Sequence, residues 1–399
     1  MDSDEYLRET RARAEQALAR AWGGAVRLVP GPALNERGNV YRFLVRAGPA
    51  QAPGSVIVKR ARIRANQRYD PDAAAYAGTA WLLFNDWAGL QFLTEVGGSL
   101  PPAPRFYAGD RQAGLIVLED LGDGESLDDL LSGEDPAHAE QAMIALAATL
   151  GRMHAATIGK QAVFDRIRGG LGPGTSRSPF DDYRWLAAVL RRTVAALDIR
   201  LPRGADADLR ALIAAIRAPG PFLAYTHGDS CPANCLCTGA TVRLCDFELG
   251  GFRPALLDGI CGRIHFPTCR SVRRSPQAIP LRMEAAYRAA LAEGCPEAAD
   301  DGYFYRAVVE ACIYWALLRC QWSMPLAVLP ERADEWAIPA LQQIVLIRFD
   351  LAAQVTAQFE HLEAIGATFA AMAATLRTRW PPEADAAPYH PAFRAGVAV

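Results

Sequence analysis

The residues best suited to chemistry in this chain lie close together. Thr226-His227-Gly228-Asp229-Ser230-Cys231-Pro232-Ala233-Asn234 sets an Asp and an Asn five residues apart, and Leu244-Cys245-Asp246-Phe247-Glu248 brings a second Asp twelve residues after Asn234. Phosphoryl transfer needs such a set: a carboxylate at the attacking hydroxyl, and oxygen ligands for a magnesium ion that bridges the phosphates. Asn234 offers a neutral oxygen and Asp246 a charged one. A loop holds the base within reach, while the end of a hydrophobic strand holds the metal ligand rigidly. A lone Asp-x-x-x-x-Asn also caps turns and helices in many proteins. The spacing to the second Asp is what makes the pattern specific.

The elements around these residues divide the chain. Val26-Arg-Leu-Val, Val40-Tyr-Arg-Phe-Leu-Val and Ser55-Val-Ile-Val-Lys59 are short β-branched and aromatic runs separated by turn clusters at 35–39 and 48–54. A helix is predicted over 72–95, with Trp81, Phe84, Trp87, Leu90 and Leu93 at spacings of three and four. Two more strands follow near 105–108 and 115–118. The sum is an antiparallel sheet of about five strands with one long helix inserted after the third. Beyond Asp120 the pattern turns helical. Ser126 and Asp135-Pro136 are placed to start helices, and further helices are predicted near 180–197, 204–217, 280–293, 303–322 and 334–376. One β island spans 222–247, and 169–179 reads as a loop. The fold class is therefore α+β, with a β-rich N-terminal lobe over 1–118 and a helical lobe over 119–399.

Composition narrows the function. The chain has 399 residues with 42 Lys+Arg against 44 Asp+Glu, a net charge of −2, and 51% hydrophobic residues. That excludes long disorder and the strongly basic surface of a dedicated nucleic-acid binder. No run of about 18 apolar residues predicts a membrane span. The acidic start Met1-Asp-Ser-Asp-Glu-Tyr6 lacks the layout of a secretory signal, which points to the cytoplasm. The nine cysteines all follow residue 230, and Cys231-x-x-x-Cys235-x-Cys237 matches no common zinc spacing. They are expected to be reduced thiols.

The His-x-Asp-x-x-x-x-Asn loop followed by a strand ending in Asp resembles the aminoglycoside phosphotransferase and choline kinase family, small-molecule relatives of the protein kinases. The resemblance implies a bilobal protein-kinase-like fold and an ATP- and Mg2+-dependent phosphotransferase acting on a small-molecule hydroxyl of aminoglycoside, choline or amino-alcohol type. It makes Asp229 the catalytic base, His227 an organiser of the loop, and Asn234 and Asp246 the magnesium ligands. Gly228, where protein kinases usually carry Arg, is similar to the metabolite kinases. Asp258 resembles the later Asp that ties the catalytic segment to the next helix. Lys59 ends the third strand, where the family keeps the Lys that contacts the α- and β-phosphates. Its expected acidic partner is Asp86, one methylene shorter than the usual Glu, with Glu95 as a substitute. Gly38 and Asn39 fall in the nucleotide-covering turn, which here has a single Gly. Leu115-Ile-Val-Leu-Glu119-Asp-Leu121 resembles the interlobe hinge, where adenine would meet main-chain groups near Glu119 and Leu121. His154 is expected to be structural, and Glu248 either reaches a second magnesium or is hydrogen-bonded within the protein.

Acceptor recognition is expected from the helical lobe. Asp181, Asp182, Glu297, Asp300, Asp301, Glu310, Glu331, Asp334 and Glu335 could bind a cationic acceptor or simply be solvated and cap helices. Trp185, Tyr303, Tyr305, Tyr314, Trp315, Trp322 and Trp336 could line a pocket or fill the core. Two other classes stand beside the enzyme. One is a kinase-like binding module without transfer activity. The other is a protein kinase, for which the stretch from Asp246 to Asp258 is too short to hold a long activation loop.

Overall fold

A computed structural model describes residues 3–34, 38–63, 68–73, 75–98, 101–172, 183–239, 241–269, 272–325 and 338–396. The β-branched runs near the N-terminus fold as β1 (Arg27–Ala33), β2 (Val40–Ala47) and β3 (Ser55–Arg60), each antiparallel to its neighbour. After α2 (Thr79–Val96) come β4 (Phe106–Asp110) and β5 (Leu115–Glu119), and the five strands take the order β1-β2-β3-β5-β4. The helix thus follows the third strand, as the pattern predicts. It begins later than 72 because the chain turns at Ala77, which sits at φ 55°, and at Gly78, whose amide bonds Ala75 O. L-residues cannot continue a right-handed helix from that region.

Period-two alternation in β3 decides where its cations point. Val56, Val58 and Arg60 are buried on one face. There the sheet packs on α1 (Ser3–Trp22), a helix the periodicity reading did not anticipate, through Ala14, Ala17 and Leu18 against Leu28, Phe43 and Val117. Arg60 bonds Thr10 Oγ1 and Ala113 O on that face and lies 4.2 Å from the Tyr6 ring. Lys59, one residue earlier, faces the other way. These elements form one compact unit with α5 (Gln161–Gly170) and the segment 243–251. Of the loop predicted over 169–179, residues 169–170 belong to α5 instead, and 173–179 lie outside the described residues. The α2 helix is buried over most of its circumference from Ala80 to Leu93, as an internal helix must be.

The second unit is mainly helical. Ser126 caps α3 (Leu127–Ser132) in a reciprocal capping box with Asp129, and Asp135 caps α4 (Pro136–Thr157), with Pro136 in the first turn. The expected helices follow at Trp185–Ala196, Ala205–Arg217, Ala278–Ala292, Asp301–Trp322, Ile338–Gln358 and Glu363–Arg379. The β island holds β7 (Leu223–Thr226), β8 (Cys235–Thr238) and the start of β9 (Thr241–Leu244), the last two joined by a turn at Gly239 with φ 59°. Among the described residues, no helix is long and apolar enough to cross a membrane.

The expectation of reduced thiols fails at one pair, since Cys231 and Cys269 form a disulfide with Cα atoms 5.9 Å apart. Thirty-eight residues separate them, so only the tertiary fold brings them together. The other seven cysteines are thiols outside any disulfide.

The α4 helix packs tightly against the helix Ala278–Ala292 at Gly151. A Cβ there would stand 2.5 Å from the backbone oxygen of Tyr287. Backbone cannot swing aside as a side-chain tip can, so Gly151→Val is expected to destabilise the protein by about 1–3 kcal/mol. A lowered melting temperature in a thermal scan checks it.

Candidate active site

The shorter carboxylate at position 86 reaches its partner directly. Lys59 Nζ lies 2.7 Å from Asp86 Oδ2 and 2.6 Å from Asp246 Oδ1. The other Asp86 oxygen accepts the Phe247 amide at 2.8 Å. One buried carboxylate, 1% exposed, therefore fixes the lysine and the backbone just after Asp246. Its neighbour Asn85 completes the grip by donating Nδ2–H to Glu248 O at 3.0 Å and Gly250 O at 2.7 Å. Asn85 has no reactive group and its role was not evident in the sequence; its position beside Asp86 in an apolar helix was the available signal. Glu95 lies elsewhere, bonded to Gln91.

Electrostatics follow from these distances. Burial lowers the Lys59 pKa, but the Asp86 and Asp246 carboxylates outweigh it and hold the pKa above the ordinary lysine value. The ammonium is fixed as a cation. Asp246 adopts φ 70°, a region non-glycine residues leave unless their surroundings compel it. Here the clamp on residues 247–250 does so. Burial, with the Asp246 charge second, pushes the Glu248 carboxyl up to about 7.

In the same unit, Gly38 sits at φ 64° and is exposed, while Asn39 O accepts the Arg60 amide. The remainder of the turn, 35–37, lies outside the described residues. The Glu119 amide donates to Arg105 O and its carboxylate binds Arg243 at 2.8 Å. Arg42 holds the next residue: Nε is 2.8 Å from Asp120, and the same guanidinium contacts Asp123 and the Gly122 carbonyl. This brace ahead of Leu121 was not anticipated from the sequence.

In the helical unit the loop after β7 is organised by Asp258, which is 2% exposed. It accepts the His227 amide at 2.5 Å and lies 3.8 Å from His154 Nε2. His154 Nδ1 pairs with Tyr287 Oη at 2.9 Å. Burial raises the Asp258 pKa, but the hydrogen bond and charge of His154, with His227 behind, hold it below the ordinary carboxylate value. His227 is fully buried, and its Nδ1 accepts the Asp229 amide at 3.2 Å. Cys231 N and Asn234 Nδ2 both donate to Asp229 O, at 2.8 and 2.9 Å. The Asn234 amide nitrogen is thereby committed, and its Oδ1 is the atom left for ligation. Asp229 itself is half-buried, and nothing here fixes its carboxylate except the backbone that carries it.

The acidic residues considered for a cationic acceptor are placed differently. Asp300 caps the helix that begins at Asp301, Asp301 pairs with Arg288 at 2.7 Å, and Glu310 lies 3.2 Å from His361. Glu297 meets Cys295 Sγ at 3.6 Å. Asp181, Asp182, Glu331, Asp334, Glu335 and Trp336 lie outside the described residues, as does the Trp322 side chain. Tyr314 packs edge-on against Tyr183 and Trp315, and Tyr305 stacks on Phe359. Tyr303 is 59% exposed.

One unit thus holds a strand lysine paired to a helix carboxylate, and the other a His-x-Asp-x-x-x-x-Asn loop held by a buried Asp. The chain belongs to the phosphotransferase enzyme family (APH), which matches residues 37–294. No curated protein matches it. Among solved structures it is similar to a protein from Ralstonia eutropha JMP134 provisionally assigned as an aminoglycoside phosphotransferase. The identity there is 13% with a TM-score of 0.52, over 89% of this chain and 98% of that one. It also matches a choline/ethanolamine kinase family protein from Mesorhizobium loti (16% identity, TM-score 0.39, 91% and 99% covered). A third match is a macrolide 2'-phosphotransferase from Brachybacterium faecium (15%, 0.40, 84% and 98%). At such identities the likeness concerns the fold, and the Ralstonia structure carries it.

Removing the buried Asp86 leaves a half-buried ammonium facing one carboxylate and a backbone amide without its acceptor. Asp86→Ala is therefore expected to cost roughly 3–5 kcal/mol, read as a fall in the denaturant midpoint. Asp258, with its lowered folded pKa, contributes stability that is full above the ordinary carboxyl value of about 3.9 and is lost as pH falls through the folded value. The gap between wild type and Asp258→Asn should accordingly be wide at neutral pH and close in acid. Equal gaps at both would contradict this account.

Proposed function

We propose that this chain is a cytoplasmic, ATP- and magnesium-dependent kinase that phosphorylates a hydroxyl group of a small molecule. The observation that carries the proposal is the doubly paired Lys59: a half-buried strand lysine held charged between Asp86 and Asp246 is suited to meet a polyanionic triphosphate. The Asp246 carboxylate and the Asn234 amide oxygen are hard donors of the kind magnesium takes, and a pair of them suits an ion that completes its shell with phosphate oxygens and water. When bound, magnesium would offset charge on the transferring phosphoryl group.

The protein's own residues then divide the work. Lys59 binds and orients the α- and β-phosphates, and the backbone at Gly38 and Asn39 covers them. Main-chain groups near Glu119 and Leu121 receive the adenine; because the Glu119 amide is already bonded to Arg105 O, its carbonyl and the following residues are the available groups. Asp229 accepts the acceptor hydroxyl proton on its carboxylate and aims the oxygen for in-line attack. His227 holds the Asp229 amide, and Asp258 holds His227. Catalysis of this kind is positioning and electrostatics, so the roles are separable by variants.

Asp229→Asn should lower kcat by about 10²–10⁴-fold with little change in ATP affinity. Wild-type turnover in that variant would remove Asp229 from its role. ATP with magnesium should raise the melting temperature of the wild type and of Asp229→Asn, and much less that of Asp246→Ala. If no thermal shift occurs in the wild type, the reading fails. A shift without turnover on any acceptor would instead favour a binding module.

A further inference from the structure

Next to the catalytic loop, within the helical unit, lies a cavity of about 220 Å³. Pro232, three residues beyond Asp229, forms part of its wall, together with Asp128, Ser132, His265, Arg273 and His390. Two devices fix that wall. The Cys231–Cys269 disulfide ties the loop to the segment carrying His265 and Arg273. The C-terminal strap is laced to the same segment, with Arg274 N bonded to Pro388 O and His390 N to Arg274 O.

Arg273 lines the cavity, and two further arginines lie outside its lining. Arg348 is 2% exposed, and its Nε and Nη1 have no hydrogen-bond partner. Arg319, from the preceding long helix, bonds Ser323 Oγ and the Pro267 carbonyl but leaves Nε unpartnered. Among the described residues, no ion pair engages Arg273, Arg274, Arg319 or Arg348. Burial, followed by the charges of Arg348, His390 and Arg274, lowers the His265 pKa to about 3; burial and Arg273 lower that of His390 to about 4. Arg319 reaches the wall segment through the Pro267 carbonyl, and Val272, beside Arg273, packs with Ile344 and Ile347 of the helix that carries Arg348. The one acid there, Asp128, is exposed in the first turn of α3. With Ser132 one turn on, it is suited to accept and exchange hydrogen bonds with hydroxyl groups.

A buried guanidinium without a counter-ion is costly, and a protein gains nothing from it unless an anion completes the site. We propose that the acceptor carries an anionic group, a carboxylate or a phosphate ester, and that this cavity receives it, with Arg273 as the direct ligand and Arg348 supplying the field behind His265. This rests on the kinase reading above and names the substrate class for it. The acids suited to a cationic acceptor fit the proposal too, because Asp300, Asp301 and Glu310 are committed to a helix cap and to pairs with Arg288 and His361, and Glu297 meets Cys295 Sγ.

The test uses a matched set on the full chain: gluconate, glucose 6-phosphate, glucose and glucosamine. Binding is followed by calorimetry and turnover by coupled ADP release. Gluconate or glucose 6-phosphate should bind at least about tenfold more tightly than glucose, the scale of one charge-assisted hydrogen bond, and which of the two wins identifies the anion. Arg273→Ala should remove that advantage while thermal stabilisation by ATP stays intact. Arg348→Met should bind the anion more weakly yet melt at a higher temperature, an opposition that a merely structural arginine would not produce. Equal binding of glucose or glucosamine, binding of none of the anions, or unaltered anion affinity in Arg273→Ala would overturn the proposal. Turnover of a neutral or cationic acceptor that depends on Asp229 would overturn it while leaving the kinase reading standing. Failure of ATP with magnesium to stabilise the wild type would instead strike at the kinase reading.

Discussion

Asp86 is a carboxylate at 1% exposure, and a charge at that depth persists only if its lone pairs are satisfied. One oxygen is met by Lys59 and the other by the Phe247 amide. A short side chain gives this arrangement little slack: the helix must approach the sheet closely, which its apolar, nearly all-round burial allows. Asn85 then engages Glu248 O and Gly250 O. The consequence is a fixed backbone after Asp246, which explains how that residue is held at φ 70° and why its carboxylate stays against Lys59. The same spot is thus a structural keystone and the place where a triphosphate would be met.

The helical unit solves a parallel problem by other means. The loop from His227 to Asn234 has no regular structure of its own until the single 3₁₀ turn at Pro232–Asn234. Its order is borrowed from Asp258, whose charge is balanced by amides and by the His154–Tyr287 pair. Tyr287 reaches that depth because Gly151 and Gly259 leave room for it, a Cβ at Gly259 falling 2.2 Å from its ring. Small residues at helix contacts and the loop from His227 to Asn234 are therefore linked by packing.

Charge balance in the whole chain conceals a separation. A net charge of −2 would suggest nothing about an acceptor, yet several acids are consumed by caps and surface pairs while, among the described residues, Arg273, Arg319 and Arg348 have no ion-pair partner. Such an excess is invisible in composition and depends on which side chains the helices bury together.

The residues with chemical character were legible in the sequence because their spacing is local: His227, Asp229 and Asn234 share one loop, Asp246 ends one strand, and Lys59 ends another. The five antiparallel strands, the helix inserted after the third and most helix positions followed from periodicity and turn residues for the same reason, whereas the order β1-β2-β3-β5-β4 came only with the fold. The amphipathic N-terminal helix and α5 went unread, and so did every contact that joins distant segments. The Asn85 grip, the Arg42 brace on Asp120, the Cys231–Cys269 pairing and the unpaired Arg348 each join residues, or reveal a lack of partners, across tens to hundreds of positions. Local pattern determines what a segment can become. Only the packed chain decides which buried charges find partners, and that is where the specificity of this protein resides.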